Sequence, residues 1–156
     1  MLAEHLGSCR RVCFDSAAII YFIEQHPIYY AIFRPVFDLV DGGKLEGFSS
    51  TITLMEVLVR PIRERRADLI DTYGKRLTKA RGFQLFPIDR LVAKRGAELR
   101  AERASLRPPD AMQLATASLH EADAFLTNDK RLRSCGDVDV VVIDDFLPET
   151  GTQGPT

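Results

Sequence analysis

The stretch EADAFLTNDKRLRS, residues 121–134, sets an apolar run directly before a polar and an acidic side chain. Residues 124–127, AFLT, predict a short buried strand, and Asn128 and Asp129 follow it at once. Asn and Asp favour turns in such places, because their side chains bond to the nearby backbone. The same position also suits a binding site, since ligands of open α/β sheets lie just beyond the carboxyl ends of the strands. Acidic residues at matching places elsewhere would favour the site.

The rest of the chain alternates short apolar runs with longer segments of helical spacing, which is typical of a parallel α/β sheet. Four further runs predict strands: 11–14 (RVCF), 45–50 (LEGFSS), 83–86 (FQLF) and 138–144 (VDVVVID). Helices are predicted at 16–25 with Ser16 as N-cap, 28–41, 53–59, 61–80 after a break at Pro61, 90–103 with Asp89 as N-cap, and 110–122 after Pro108-Pro109. The predicted fold class is therefore α/β, with a central, mainly parallel, five-stranded sheet.

Length and composition indicate one globular domain. The chain has 156 residues, of which 46% are hydrophobic and 28% charged, and a single core suits that size. We expect one domain at residues 1–147. The segment 148–156, PETGTQGPT, is expected to be a disordered tail because it is rich in Gly, Pro and Thr.

Net charge and cysteine usage exclude several classes of function. A formal net charge of −1 gives no general basic field for nucleic acid, so a polyanion would have to be held through metal ions and a local basic patch. The three cysteines form no CxxC pair, which disfavours a disulfide framework and a zinc site and favours a reducing compartment.

No apolar run reaches the roughly 18 residues of a membrane span, and the N-terminus lacks the apolar core of a signal peptide. We expect a cytoplasmic protein with no membrane association.

Four carboxylates fall where the expected topology would gather them. Asp15 and Asp129 follow predicted strands, Glu56 lies near the start of a helix, and Asp110 opens another helix. Helices of such a sheet begin near the edge at which the strands end, so these side chains are expected to share one crevice. Each also has a purely structural interpretation. These are a helix entry for Asp15, a turn for Asp129, a helix-dipole partner for Asp110 and a capping box with Thr53 for Glu56.

A cluster of four carboxylates in one crevice indicates a binding site for a divalent cation. Like charges within a few ångströms raise each other's pKa until some of the groups become neutral. A hard cation removes that repulsion, and oxygen-rich acidic sites suit Mg²⁺ or Mn²⁺. Ions of this kind bind phosphates, lower the pKa of a bound water and stabilise a leaving oxygen. The reaction class that follows is metal-assisted phosphodiester hydrolysis.

Four segments, in this order and at these separations, resemble the acidic motifs of PIN-domain ribonucleases, and most of all those of the VapC-type toxins of toxin–antitoxin pairs. They are FDSAAIIYFIE (14–24), TITLMEVLV (51–59), PPDAMQLATA (108–117) and FLTNDKRL (125–132). The resemblance extends from about Arg11 to Ile143. It implies a three-layer α/β/α fold and a Mg²⁺-dependent endoribonuclease, with Mn²⁺ as a substitute ion. It also implies three partners: an RNA substrate, a small antitoxin protein and a second copy of the chain in a homodimer.

The resemblance assigns roles to individual residues. It makes four residues the catalytic and metal-binding acids: Asp15, Glu56, Asp110 and Asp129. Ser16 and Thr127 match polar positions around the metal and the scissile phosphate, and Asn128 matches a position that is often polar. The sequence departs from the pattern after Asp129, because Lys130 and Arg131 stand where some members carry a further acid. That departure favours one protein-held ion, and it makes Lys130 and Arg131 candidates to contact the phosphate.

Two alternatives stay open at this point: a housekeeping PIN nuclease of RNA processing, and an inactive PIN-like binding module. The arginines of RPIRERR, residues 60–66, also have two interpretations. They either line the approach to the site, because arginine contacts phosphates bidentately, or form a solvated helix face with Glu64 and Asp68 as partners.

Overall fold

Five parallel strands form the centre of the computed structural model, which describes residues 1–148. The strands are β1 (Arg11–Phe14), β2 (Glu46–Ser50), β3 (Phe83–Phe86), β4 (Ala124–Thr127) and β5 (Asp139–Val142). Their order across the sheet is β3-β2-β1-β4-β5, and every neighbouring pair is parallel. The sheet order reverses at β1, which pairs with both β2 and β4, so the ends of β1 and β4 lie side by side at the switch point where ligands of such sheets bind.

Seven α-helices surround the sheet within residues 1–148. They are α1 (Leu2–His5), α2 (Ser16–Ile23), α3 (Tyr30–Asp41), α4 (Thr51–Arg63), α5 (Ala67–Thr78), α6 (Arg90–Glu102) and α7 (Pro108–Leu119). Short 3-10 helices occupy Leu6–Ser8, Lys130–Leu132 and Ile143–Phe146. None of the helices in the described part of the chain is long and apolar enough to cross a membrane. The tail predicted at 148–156 lies outside the described residues from 149 onward.

Two hydrophobic cores on opposite faces of the sheet make the fold three-layered, as predicted. In β1, Val12 and Phe14 pack into the core formed with helices α1 to α5, whereas Cys13 packs into the core formed with α6 and α7. Phe125 of β4 joins Cys13, and its neighbour Leu126 joins Phe14. This alternation follows from the period-two geometry of a strand. It confirms the three-layer α/β/α fold that the family resemblance implied.

The predicted break at Pro61 is wrong. Helix α4 runs through Pro61, which is buried, and ends two residues later at Arg63. Proline removes only one helical N–H, and burying its ring in a packed face offsets that loss. The helix ends instead with Arg65 at φ +54° and an Arg66 N–H that donates to the Pro61 carbonyl at 2.8 Å, which is the Schellman arrangement.

Three helix starts also differ from the prediction. Asp15, and not Ser16, is the N-cap of α2, because its carboxylate accepts the Ser16 N–H at 2.8 Å. Ser50 caps α4 by accepting the Ile52 N–H. Pro108 and Pro109 do not precede α7 but form its first two positions, where the missing N–H groups are not needed. The prediction that Asp89 caps α6 is confirmed.

Candidate active site

The carboxyl edge of the sheet brings all four predicted acids into one cleft. The cleft has a volume of about 420 Å³ and is lined by Asp15, Ser16, Ala17, Glu56, Arg107, Asp110, Thr127, Asn128, Asp129 and Arg131. Of the nine residues proposed from the sequence, only Lys130 does not line it. Arg107 lines it as well.

Asp15 is the buried acid of this cleft. One carboxylate oxygen accepts the Thr127 hydroxyl at 2.6 Å, and the other accepts the Ser16 N–H at 2.8 Å. The Asp15 N–H donates to the Leu126 carbonyl at 2.9 Å, which continues the pairing of β1 with β4 and fixes the backbone. Burial raises the pKa of Asp15, the charges of Glu56 and Asp110 raise it further, and the two hydrogen bonds partly oppose that rise. Asp15 is thus held rigidly in a place that disfavours its negative charge.

A buried network of uncharged polar side chains supports this part of the cleft. The hydroxyl of Thr53 lies 3.2 Å from that of Ser16 and 2.8 Å from that of Ser49, and it accepts the Gln113 side-chain N–H at 2.6 Å. Ser50 donates to the Gln113 carbonyl oxygen at 2.6 Å. All five residues are buried. The network ties α4 and α7 to the start of α2, directly beside Asp15.

This network was not predicted from the sequence. Its signals were present in the hydroxyl-rich run Ser49-Ser50-Thr51 at the end of β2, and in Gln113, which lies three residues after Asp110 on the same helix. A polar residue at that spacing points in the same direction as Asp110. Because its neighbours on α7 are apolar, however, the sequence pattern around Gln113 predicts only a core-facing helix and not a polar network.

Glu56 and Asp110 approach the cleft from two helices. Glu56 is exposed and lies in the second turn of α4. The predicted capping box with Thr53 is therefore wrong, because α4 begins at Thr51 and takes its cap from Ser50. Asp110 lies in the first turn of α7, as predicted, and its carboxylate accepts a hydrogen bond from Nε of Arg107 at 3.2 Å.

Asp129 is in the opposite electrostatic state from Asp15. Its backbone N–H donates to the Thr127 hydroxyl at 3.1 Å, and its carboxylate is held by Arg131, with Nη2 at 2.6 Å and Nε at 2.9 Å. This guanidinium lowers the pKa of Asp129, and the charge of Arg107 acts in the same direction. Thr127 therefore contacts both aspartates and sets their spacing at the end of β4.

Asn128 and Lys130 make their contacts with the loop after β5. The Asn128 amide donates to the Tyr29 hydroxyl at 3.2 Å, and its carbonyl oxygen accepts the Asp144 N–H at 3.1 Å. Lys130 forms an ion pair with Asp144 at 3.1 Å, and Asp144 also accepts the Tyr29 hydroxyl at 2.8 Å. These contacts hold the segment that carries Asp129.

The donors in the cleft match a hard divalent cation in chemical type. Carboxylate and hydroxyl oxygens are what Mg²⁺ and Mn²⁺ prefer. The pKa of Asp15 is raised by burial first and by the charges of Glu56 and Asp110 second, and a cation would offset both effects. Among residues 1–148, no three acidic, histidine or cysteine side chains lie close enough as arranged to hold an ion together. Asp110 and Asp129 are instead paired with arginines. The donor types thus match a divalent cation, while two of the four carboxylates are occupied by these ion pairs as arranged.

Several solved structures have a similar fold. One is described as a toxin-antitoxin complex from Klebsiella pneumoniae, with 23% identity, a TM-score of 0.63, and coverage of 85% of this chain and 97% of that chain. DNA-bound VapBC from Salmonella typhimurium gives 20% identity, a TM-score of 0.67, and coverage of 86% and 98%. FitAcB from Neisseria gonorrhoeae gives 19% identity, a TM-score of 0.64, and coverage of 85% and 97%. These similarities support the fold.

A sequence comparison with curated proteins gives no match. The family model described as "PIN domain" matches residues 12–137, which include β1 to β4 and all four acids of the cleft. Because this match covers most of the chain, the chain belongs to the PIN-domain family, which is a family of nucleases.

Proposed function

We propose that this protein is a metal-dependent endoribonuclease and the toxin of a toxin–antitoxin pair. The observation that carries the proposal is the cleft at the end of β1 and β4, in which Asp15, Glu56, Asp110 and Asp129 converge. Asp15 is buried there with a raised pKa. An acid that is buried in a cleft with a raised pKa is a candidate for function, because perturbed pKa values cluster at functional sites.

In the proposed reaction, Asp15, Glu56, Asp110 and Asp129 hold Mg²⁺ or Mn²⁺. The ion, when bound, lowers the pKa of a water and stabilises the leaving oxygen of the phosphodiester. Thr127 and the Ser16 N–H orient the Asp15 carboxylate. The Ser16 hydroxyl is held by a hydrogen bond with the Thr53 hydroxyl. Arg107 and Arg131 at the mouth of the cleft supply positive charge for the RNA backbone, since guanidinium groups recognise phosphates bidentately.

The partner proteins are proposed from the neighbours. One of the similar structures is a toxin–antitoxin complex from Klebsiella pneumoniae, and this supports a small antitoxin as the partner of this chain. We further propose a homodimer and a cytoplasmic location, which suit a nuclease that acts on cellular RNA.

Purified protein tests the catalytic part of the proposal. Total RNA is incubated with the wild type, Asp15→Asn and Asp110→Asn, in Mg²⁺, Mn²⁺ or EDTA, after circular dichroism has shown that each variant is folded. We expect wild-type cleavage only with metal, and a loss of at least about a hundredfold in each variant, the scale for removing one group that stabilises a transition state. Asp71→Asn on α5, away from the cleft, is the control and should cleave normally. Equal cleavage by all proteins would refute the proposal.

Expression in a bacterial host tests the toxin part. We expect growth arrest by the wild type, no arrest by Asp15→Asn, and rescue when a small reading frame next to the gene is expressed together with the wild type. Metal-dependent cleavage without growth arrest would instead favour a housekeeping nuclease of RNA processing.

A further inference from the structure

The carboxylate of Asp129 is already occupied by a cation of the protein itself. Arg131 approaches it side-on, with Nη2 at 2.6 Å from one oxygen and Nε at 2.9 Å from the other. The backbone N–H of Arg131 donates to the same carboxylate at 3.0 Å. Both oxygens are therefore engaged, which is the bidentate geometry that makes arginine–carboxylate pairs strong.

A second pair repeats the arrangement more loosely on the other side of the cleft. Nε of Arg107 lies 3.2 Å from one oxygen of Asp110. The two pairs are close enough for their charges to act across the cleft, because Arg107 lowers the pKa of Asp129 and Asp110 raises that of Arg131. Two arginines thus stand among four acids in the same 420 Å³ space.

The Arg131 side chain can leave without giving up burial. It is 70% exposed, whereas the Asp129 side chain is only 22% exposed. The acid is fixed by the turn after β4, and the hydrogen bonds of the guanidinium within the described residues all go to Asp129. A divalent ion that binds an Asp129 oxygen competes with Arg131, because two cations within a few ångströms of one carboxylate repel each other.

We propose that Arg131 competes with the metal for Asp129, and that metal binding releases its guanidinium to contact a phosphate of the nucleic acid. This inference rests on the proposed function. Arg131 would then neutralise the acid in the metal-free protein and bind substrate in the metal-bound protein. Metal and nucleic acid would bind cooperatively, because the first frees the group that the second needs. Arg107 would play the same part at Asp110, with a smaller effect because its contact is longer.

Isothermal titration with Mn²⁺ tests the competition, in a buffer without nucleic acid. We expect Arg131→Ala to bind Mn²⁺ more tightly than the wild type by roughly 1.5- to 5-fold, which is the range for losing one exposed ion pair. Arg107→Ala should show a smaller gain. The matched control is Arg133→Ala, because Arg133 forms a similar pair with Asp145 at 2.7 Å and neither residue lines the cleft; it should match the wild type.

A lysine at position 131 separates competition from simple loss of positive charge. Arg131→Lys keeps the charge but cannot form the bidentate contact, so competition predicts an intermediate gain in Mn²⁺ affinity. The proposal is overturned if Arg131→Ala and the wild type bind Mn²⁺ equally, or if no variant binds it. It is also overturned if Arg131→Lys binds Mn²⁺ with the affinity of the wild type while Arg131→Ala binds it more tightly.

Fluorescence anisotropy with a short 2′-O-methyl oligouridine tests the release. Mn²⁺ should increase the affinity of the wild type for this probe, and Arg131→Ala should lose that increase although it binds the metal more tightly. A metal-dependent increase of equal size in both proteins would overturn the release. Neither measurement depends on cleavage. A wild type that cuts RNA while Arg131→Ala leaves Mn²⁺ affinity unchanged would therefore refute this inference and leave the proposed function standing.

Discussion

The buried half of the candidate site and its rim use the same residue type in opposite electrostatic states. In the buried half, which comprises Asp15, Ser16 and Thr127, only neutral groups hold the carboxylate, and burial raises the pKa of Asp15. At the rim, which comprises Asp110, Asp129 and their arginines, a guanidinium lowers the pKa of Asp129. One half lacks a cation and the other carries its own.

This difference indicates how the work is divided between the two halves. The neutral network below Asp15 fixes the geometry of the site before any ion arrives, which is the preorganisation that catalysis requires. The rim remains adjustable, because exposed ion pairs exchange partners at little cost. The floor of the site, formed by Asp15 and the neutral network around it, is rigid, whereas the ion pairs of the rim can exchange. This combination suits a site that must admit both an ion and a polyanion.

The largest contrast is expected from neutralising one aspartate in each half. The pKa of Asp15 is raised above its ordinary 3.8 in the folded state, so stability falls as the pH rises from about that value through the folded pKa. Asp15→Asn should then be more stable than the wild type at neutral pH, with a difference that shrinks towards acid. The pKa of Asp129 is lowered, so its contribution is present above 3.8 and is lost as the pH falls. Asp129→Asn should accordingly be less stable than the wild type at neutral pH.

Urea unfolding in EDTA, between about pH 2.5 and pH 7.5, measures both effects, because Asp15 changes charge above its ordinary pKa and Asp129 below it. If the free energy of unfolding changes in the same direction in both variants, the two halves do not differ electrostatically in the way described. With saturating Mn²⁺ in place of EDTA, the wild type should gain stability, because a ligand that binds only the folded state stabilises it. Asp15→Asn should gain less.

The next largest effect is expected from Gln113, which anchors the neutral network. Gln113→Leu keeps the volume of the side chain but leaves the Ser50 hydroxyl and Thr53 without its hydrogen bonds. We expect a loss of about 1–3 kcal/mol in the free energy of unfolding, the cost of buried polar groups left unsatisfied. Gln84→Leu, on the exposed face of β3, makes the same chemical change where nothing is buried, and it should have little effect. If both variants unfold alike, the network does not stabilise the floor of the site.

Positions of single residues at strand ends were predictable from the sequence, whereas contacts between distant side chains were not. Asp15 and Asp129 follow short apolar strands, and parallel topology alone brings such positions together. The helix boundary at Arg63 was missed because proline usually ends a helix, and the local sequence does not reveal that Pro61 is buried. Only the packed structure shows how helix α4 accommodates it.

The side-chain partners within the site show the same limit. Gln113, Thr53 and Ser49 come from three different elements, and only tertiary packing makes them neighbours. Lys130 and Arg131 were both candidates for a phosphate because of their charge. Their sequence positions do not reveal that Lys130 forms an ion pair with Asp144 and Arg131 with Asp129.

The smallest effect is expected from Lys130, whose ion pair with Asp144 holds the segment after β4. Lys130 is 62% exposed, and Asp144 keeps the Tyr29 hydroxyl when the lysine is removed. Lys130→Ala should therefore change the free energy of unfolding by no more than about 0.5 kcal/mol, as for other solvent-screened pairs. Urea unfolding beside Gln113→Leu measures the ratio of the two effects. A loss at Lys130 as large as that at Gln113 would mean that the rim is as firmly preorganised as the floor, and Arg131 would then have no freedom to exchange its carboxylate for a phosphate.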